Sequence, residues 1–211
     1  MPKSTLQAEE TAIVLFDFLN GHVRDGDTTH ARYVPVIASA VRLLGCARRR
    51  GMMIAYANAA HRRDNATSAK TLRDTDNRLR PIPPGPAARF QPAIVGGTWE
   101  ARVIDELAPQ PADYIIPKYR WSAFYQTCLD LALRSRQMST IVLCGGSTDV
   151  GIASTAFAAR DMDYHIIIAS DACTSPEQDN HDQFMQRIFP RMTRVRTVAQ
   201  IESMLTPLDL A

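Results

Sequence analysis

Apolar and polar positions along this chain fall into blocks of two kinds. Thr11–Phe16 is almost unbroken apolar sequence and ends at Asp17, the pattern of a strand covered on both faces. Val36, Ala40, Leu43, Leu44 and Ala47 recur at helical spacing, which predicts a helix opened by Pro35 and running to Arg50. Met52–Ala57 reads as a second buried strand. Further strands are predicted at Tyr114–Pro117, Thr140–Cys144, His165–Ala169 and Arg194–Thr197. Between them, helices are predicted at Trp99–Leu107 (capped by Thr98), Ser122–Arg136, Gly151–Met162, Gln178–Ile188 and Val198–Leu205. Strands alternating with such helices make βαβ units and a parallel sheet, so the fold class is α/β with six strands.

Two stretches break the alternation. Residues 1–10 are polar and read as a tail. Residues 58–97 are polar as far as Arg80, then rich in Pro and Gly, and so form an irregular loop. Loops this long inside a compact domain are usually functional, which predicts that this one covers the site or packs on a partner subunit. No internal repeat or boundary divides the chain, so residues 1–211 are expected to form one domain.

Composition narrows the picture mainly by exclusion. The 24 basic and 22 acidic residues give a net charge of +2, no footprint for nucleic acid or an anionic membrane. Arg48-Arg49-Arg50 closes a helical pattern, where cations complement the macrodipole. Cys46, Cys128, Cys144 and Cys173 lack metal-binding spacing, and buried free thiols are expected. With no signal-peptide pattern and no apolar run near the roughly 20 residues of a membrane span, a cytoplasmic location is expected.

Candidate chemistry follows from a topological rule: open parallel sheets bind ligands beyond the carboxyl ends of their strands. Those ends carry Asp17, Lys118, the Gly145–Gly151 turn and Asp171. A carboxylate beside a lysine can hold a proton donor and acceptor in a cleft, as general acid–base catalysis requires. A turn that opens a helix presents unbonded N–H groups to an anion, the arrangement of an oxyanion hole. Each residue alone has a plainer use, as a helix cap or a solvated side chain; their convergence on one edge is the signal.

Three segments carry a resemblance to the isochorismatase-like (cysteine hydrolase) family. AIVLFDFLNG is similar to its opening strand, matching at Asp17 and Asn20. PKYRWSAFYQTCLDLALRSR is similar to its Lys motif, matching at Lys118, Arg120, Ser122, Ala123, Phe124, Thr127 and Leu129. LCGGSTDVGIASTAFAARDMDYHIIIASDAC is similar to its nucleophile motif, matching at Gly145, Thr148, Asp149, Ser154, Thr155, Ala156, Asp171 and Ala172. Within the family, GGTWEARVIDELAP most resembles the branch of ureide and biuret amidohydrolases.

The resemblance implies a Rossmann-like three-layer α/β/α sandwich, a mainly parallel sheet, a small-molecule substrate and a homodimer or homotetramer. It implies an Asp–Lys–Cys triad, with Asp17 as general acid/base and Lys118 orienting it and stabilising developing negative charge. The nucleophilic Cys falls at position 151, and that residue is Gly151. The family further implies a cis peptide at Gly146–Ser147, with backbone groups of the turn facing substrate. Gly146, Ser147 and Val150 are therefore candidate substrate contacts, together with Asn20. His61 and Arg62 are placed at the pocket mouth; Arg89, Phe90 and Trp99 are candidates from the irregular loop, and Trp121 and Tyr125 from after the Lys motif. Core packing is the alternative for the aromatic residues.

Glycine supplies no thiolate, so covalent hydrolysis by that triad is removed. Cys144 lies inside an apolar strand, and no histidine base stands near Ser147 or Thr148 in sequence. Three readings stay open: water attack with Asp17 and Lys118 alone, as in isochorismate hydrolases that also carry Gly there and cleave a vinyl ether; a non-catalytic binding protein descended from an amidase; and an engineered Cys-to-Gly form. The Ser147-Thr148-Asp149 sequence of the turn departs from those isochorismate hydrolases and looks like that of an amidase without its thiol. Nicotinamidase relatives bind metal through a D-x-H…H pattern. The corresponding stretch here, Tyr56-Ala57-Asn58-Ala59-Ala60-His61-Arg62, lacks the carboxylate and holds one His, so no metal is expected, and no cofactor is expected either.

Overall fold

The computed structural model describes residues 5–68 and 94–205. A six-stranded, all-parallel sheet has the order β3-β2-β1-β4-β5-β6, with β1 Thr11–Phe16, β2 Met53–Ala59, β3 Tyr114–Lys118, β4 Thr140–Gly146, β5 His165–Thr174 and β6 Arg194–Arg196. Every residue of β1, β2 and β4 is buried, as expected of central parallel strands.

The period-two alternation of each strand divides the core in two. Ile13 and Leu15 of β1 join the face packed by α2 (Asp27–Arg49) and α6 (Val198–Met204). Ala12, Val14 and Phe16 join the face packed by α3 (Leu129–Ser135) and α4 (Ala153–Asp161). The chain thus forms a three-layer α/β/α sandwich. Strand order reverses between β1 and β4, so their carboxyl ends are the topological switch point of the sheet, where ligands bind in such folds.

Several element boundaries differ from those read in the sequence. The first long helix begins at Asp27, and Pro35 lies inside it. Proline inside a helix costs about 3 kcal/mol, and burial of Tyr33, edge-on to Phe18 at 6.5 Å, holds the turns that precede it. The predicted helix Trp99–Leu107 is reduced to a single turn at Asp105–Leu107. The backbone of 100–104 instead pairs with residues 18–21: Asn20 N–H donates to the Arg102 carbonyl, Gly21 N–H to Glu100, and Ile104 N–H to Phe18. Thr98 caps nothing; its hydroxyl donates to the Val95 carbonyl.

The predicted helix Ser122–Arg136 survives only as α3. Hydroxyls satisfy the backbone before it, competing with helical bonds: Ser122 Oγ accepts from Phe124 N–H, Thr155 Oγ1 from Ala123 N–H and Thr127 Oγ1 from Leu129 N–H. The helix expected at Gly151–Met162 starts with a wide turn, Thr148–Ile152, ahead of α4. Gln178–Ile188 likewise divides into α5 (Gln178–Gln183) and a wide turn at Phe184–Ile188. The amino-terminal segment is not a free tail where it is described: Leu6 is buried and its N–H donates to the Met204 carbonyl. β5 runs past Ser170-Asp171, because a register shift between Leu143 and Gly145 lets Gly145 pair with Cys173 and Gly146 with Thr174. Among the described residues, no helix is long and apolar enough to cross a membrane.

Candidate active site

β1 ends because Asp17 leaves the extended region, at φ 52°. Short polar residues are among the few that adopt this left-handed conformation. Asp17 N–H still bonds to the Ala57 carbonyl of β2, and its carboxylate turns back across the strand ends. Oδ1 accepts the Ala59 N–H at 2.7 Å, and Oδ2 accepts the Lys118 ammonium at 2.6 Å. Lys118 is the last residue of β3, and the β2–β3 register places it beside Ala59. Both members of the pair are buried, with side chains 10% and 5% exposed. The Lys118 ammonium also lies over the Phe16 ring, 4.1 Å from its centroid, so its second face is covered by an aromatic quadrupole.

The turn after β4 packs against the carboxyl end of β1. The Gly146–Ser147 peptide is cis. Gly145 has φ 127°, and a Cβ there would lie 2.1 Å from the Phe16 carbonyl oxygen, so only glycine permits this approach of β4 to β1. Gly151 is buried in the wide turn. An ideal Cβ on it would stand 2.2 Å from Phe16 Cε1 and 2.5 Å from Cζ.

Behind the turn, Asp149 organises a hydrogen-bond network that the sequence did not reveal. Its carboxylate accepts from Ser147 Oγ, from Ser175 Oγ at 2.5 Å and from Asn180 Nδ2 at 2.8 Å. Burial pushes the Asp149 carboxyl up, but the bonds from Ser147, Ser175 and Asn180 outweigh it and hold the group below its ordinary value. Thr148 Oγ1 lies 2.9 Å from His181 Nδ1, so a histidine absent from the neighbouring sequence arrives from α5. Thr148 itself has no exposed surface. Burial lowers the His181 imidazole, so the neutral form is favoured. Ser175, Asn180 and His181 follow the true end of β5; the strand-end rule would have selected them had the extension of that strand been legible.

The remaining candidates are distributed unevenly. His61 is tied to Thr67 Oγ1 at 3.3 Å, and its imidazole is lowered first by burial and then by the Lys118 and Arg120 cations, which puts it within electrostatic reach of the ion pair. The Asn20 side chain donates to the Trp99 carbonyl at 3.2 Å and accepts from Arg24, so its polar atoms already serve the 18–21/100–104 pairing. The Val150 N–H bonds to the Ser147 carbonyl at 3.3 Å and is committed within the turn rather than presented to an anion. Asp171 is not at the switch point: its carboxylate accepts the Val198 N–H at the start of α6. Trp99, Trp121 and Tyr125 are about half exposed. Arg89 and Phe90, and most of the 58–97 loop, lie outside the described residues. Cys46, Cys144 and Cys173 are buried free thiols and Cys128 is exposed; burial pushes the Cys144 thiol well up, away from the nucleophilic thiolate.

A doubly covered parallel sheet thus carries a strand-end Asp–Lys pair and a glycine turn together at its switch point. The family model for the isochorismatase domain matches residues 11–200, and the chain belongs to that family. YecD of Escherichia coli O157:H7, an uncharacterised isochorismatase family protein, is 32% identical over 196 residues, covering 93% of this chain and 96% of its own. The ureidoacrylate amidohydrolase RutB of Agrobacterium fabrum is 29% identical over 179 residues, 80% of this chain and 77% of its own. Among solved structures, an isochorismatase family protein from Burkholderia thailandensis superposes with a TM-score of 0.77 at 28% identity, covering 95% of this chain and 97% of that one.

Proposed function

We propose that the protein hydrolyses a small polar metabolite by acid–base catalysis at Asp17 and Lys118, with water as the attacking group and no covalent enzyme intermediate. The observation that carries this reading is the buried 2.6 Å Asp17–Lys118 pair standing beside a position, Gly151, that has no side chain. Asp17 has one oxygen on Lys118 and the other on Ala59 N–H, which fixes the carboxylate in place to move a proton. Lys118 orients it and offers positive charge where negative charge develops on the substrate. Water adds across the scissile bond, one hydrogen passing through Asp17 to the leaving fragment.

RutB acts on a C–N bond, and isochorismate-type chemistry cleaves a vinyl ether; both are hydrolyses this pair could assist. A panel of ureides, N-carbamoyl compounds and enol ethers, followed by product release, would identify the bond. On the substrate found, Asp17→Asn and Lys118→Ala are each expected to lower turnover by about 10²–10⁴-fold, the usual contribution of a positioned acid–base group. Rates within threefold of the parent in both variants would refute the assignment. A second reading, a binding protein without turnover, is favoured by the Phe16 ring in the space beside Gly151. Its mark would be a ligand that raises the melting temperature but is recovered unchanged. Assembly as a homodimer or homotetramer is part of the proposal, and light scattering tests it.

A further inference from the structure

We infer that Phe16 has taken the place of the side chain at position 151, so that Phe16 and Gly151 are a matched steric pair and the covalent route is closed at two positions rather than one. A Cβ on Gly151 would meet three atoms along one edge of the Phe16 ring: Cε1 at 2.2 Å, Cζ at 2.5 Å and Cδ1 at 3.1 Å. The overlap takes in the far end of the ring at Cζ as well as its flank at Cδ1, so relieving it requires the whole ring to move. The ring has little room to withdraw. Phe16 is 2% exposed, in the same buried cluster as Leu143, Ile152 and Ala153, and its face carries the Lys118 ammonium at 4.1 Å. Phe16 also immediately precedes Asp17, so displacing it disturbs the strand end that presents the carboxylate. Phe16 is therefore a positioning residue: it holds the lysine of the pair from one side and fills, with an unreactive ring, the volume that a residue-151 nucleophile would need.

It follows that restoring a thiol needs two changes. In a Cys128→Ser background, which removes the exposed cysteine and leaves the three buried ones, Gly151→Cys is compared with Phe16→Val/Gly151→Cys. Alkylation of the introduced thiol at position 151 by iodoacetamide, followed by peptide mass, is expected to be at least about tenfold faster in the double variant, where the thiolate is unobstructed. Equal alkylation rates in the two would overturn the inference. Should Gly151→Cys fail to fold, Gly151→Ala gives the same test by thermal melting. It is expected to lower the melting temperature by about 5 °C with Phe16 present, the scale of overpacking in a chain of this size. With Phe16→Val as the starting protein, the same change should cost about 1 °C or less. Additive losses would refute the pairing. Both readouts measure packing and thiol access without turnover, so they are independent of whether the proposed hydrolysis is correct.

Discussion

Replacing Lys118 by Met removes the charge of the buried pair while keeping an unbranched side chain of similar length; the ammonium that bonds Asp17 and lies over the Phe16 ring is what is lost. In the parent, the 2.6 Å bond joins side chains only 5% and 10% exposed, so solvent screening that weakens surface pairs does not apply. Without the ammonium, the Asp17 carboxylate keeps one bond, from Ala59 N–H, and stays buried. Removing one partner of such a pair costs about 3–5 kcal/mol, mostly as the penalty of the uncompensated charge left behind. A chain of 211 residues loses about 2–4 °C of melting temperature per kcal/mol, so the expected fall is about 6–20 °C. Circular dichroism melting reads it directly. Asp17→Asn/Lys118→Met removes both charges and leaves an amide oxygen to accept from Ala59, so it should be more stable than Lys118→Met alone. Lys118→Met melting within about 2 °C of the parent, or a double variant costing the sum of the single ones, would refute the electrostatic account of this site.

Other outcomes follow from the same geometry. Burial holds the His61 and His181 imidazoles below their ordinary value, so the unfolded chain takes up protons near pH 6.5 that the folded chain still refuses. Their contribution is fully present above that pH and is lost as pH falls below it, by at most about 1.4 kcal/mol per pH unit for each imidazole; His181→Gln should flatten the urea-midpoint profile between pH 7 and 5, and an unchanged slope would count against it. Asp149→Ala strips the charged acceptor from Ser147, Ser175 and Asn180; the two serine hydroxyls, 3.0 Å apart, keep only each other, and Asn180 turns to solvent. A loss of about 1–3 kcal/mol is expected, read from urea midpoints, together with reduced turnover as the 147–151 turn loosens. Dialysis against EDTA should leave the melting temperature unchanged, because the stretch from Asn58 to His61 has no carboxylate, and no three His, Cys, Asp or Glu side chains converge among the described residues.

The sequence by itself determined the parallel α/β sheet, the strand ends at Asp17 and Lys118, and the glycine turn at Gly145–Gly151. Long apolar runs and glycines at fixed offsets are local signals, and the strand-end rule turns them into a site without coordinates. Where local pattern competed with distant partners, it misled. Residues 100–104 gave up a helix to pair with 18–21, and the hydroxyls of Ser122, Thr127 and Thr155 took backbone bonds that a helix would have used. Asp171 stands at a strand end in the sequence pattern but caps α6, because β5 continues through a register shift that periodicity cannot express. Only the tertiary structure brought Ser175, Asn180 and His181 behind the turn, since they arrive from another element some 26–33 residues away. It also set what stands beside Gly151. Gly151 reads in sequence as an absence, but at the β1–β4 switch point it is the space that the Phe16 ring fills. That contact joins residues 135 positions apart, and close packing of a core is set by volume in three dimensions rather than by order along the chain.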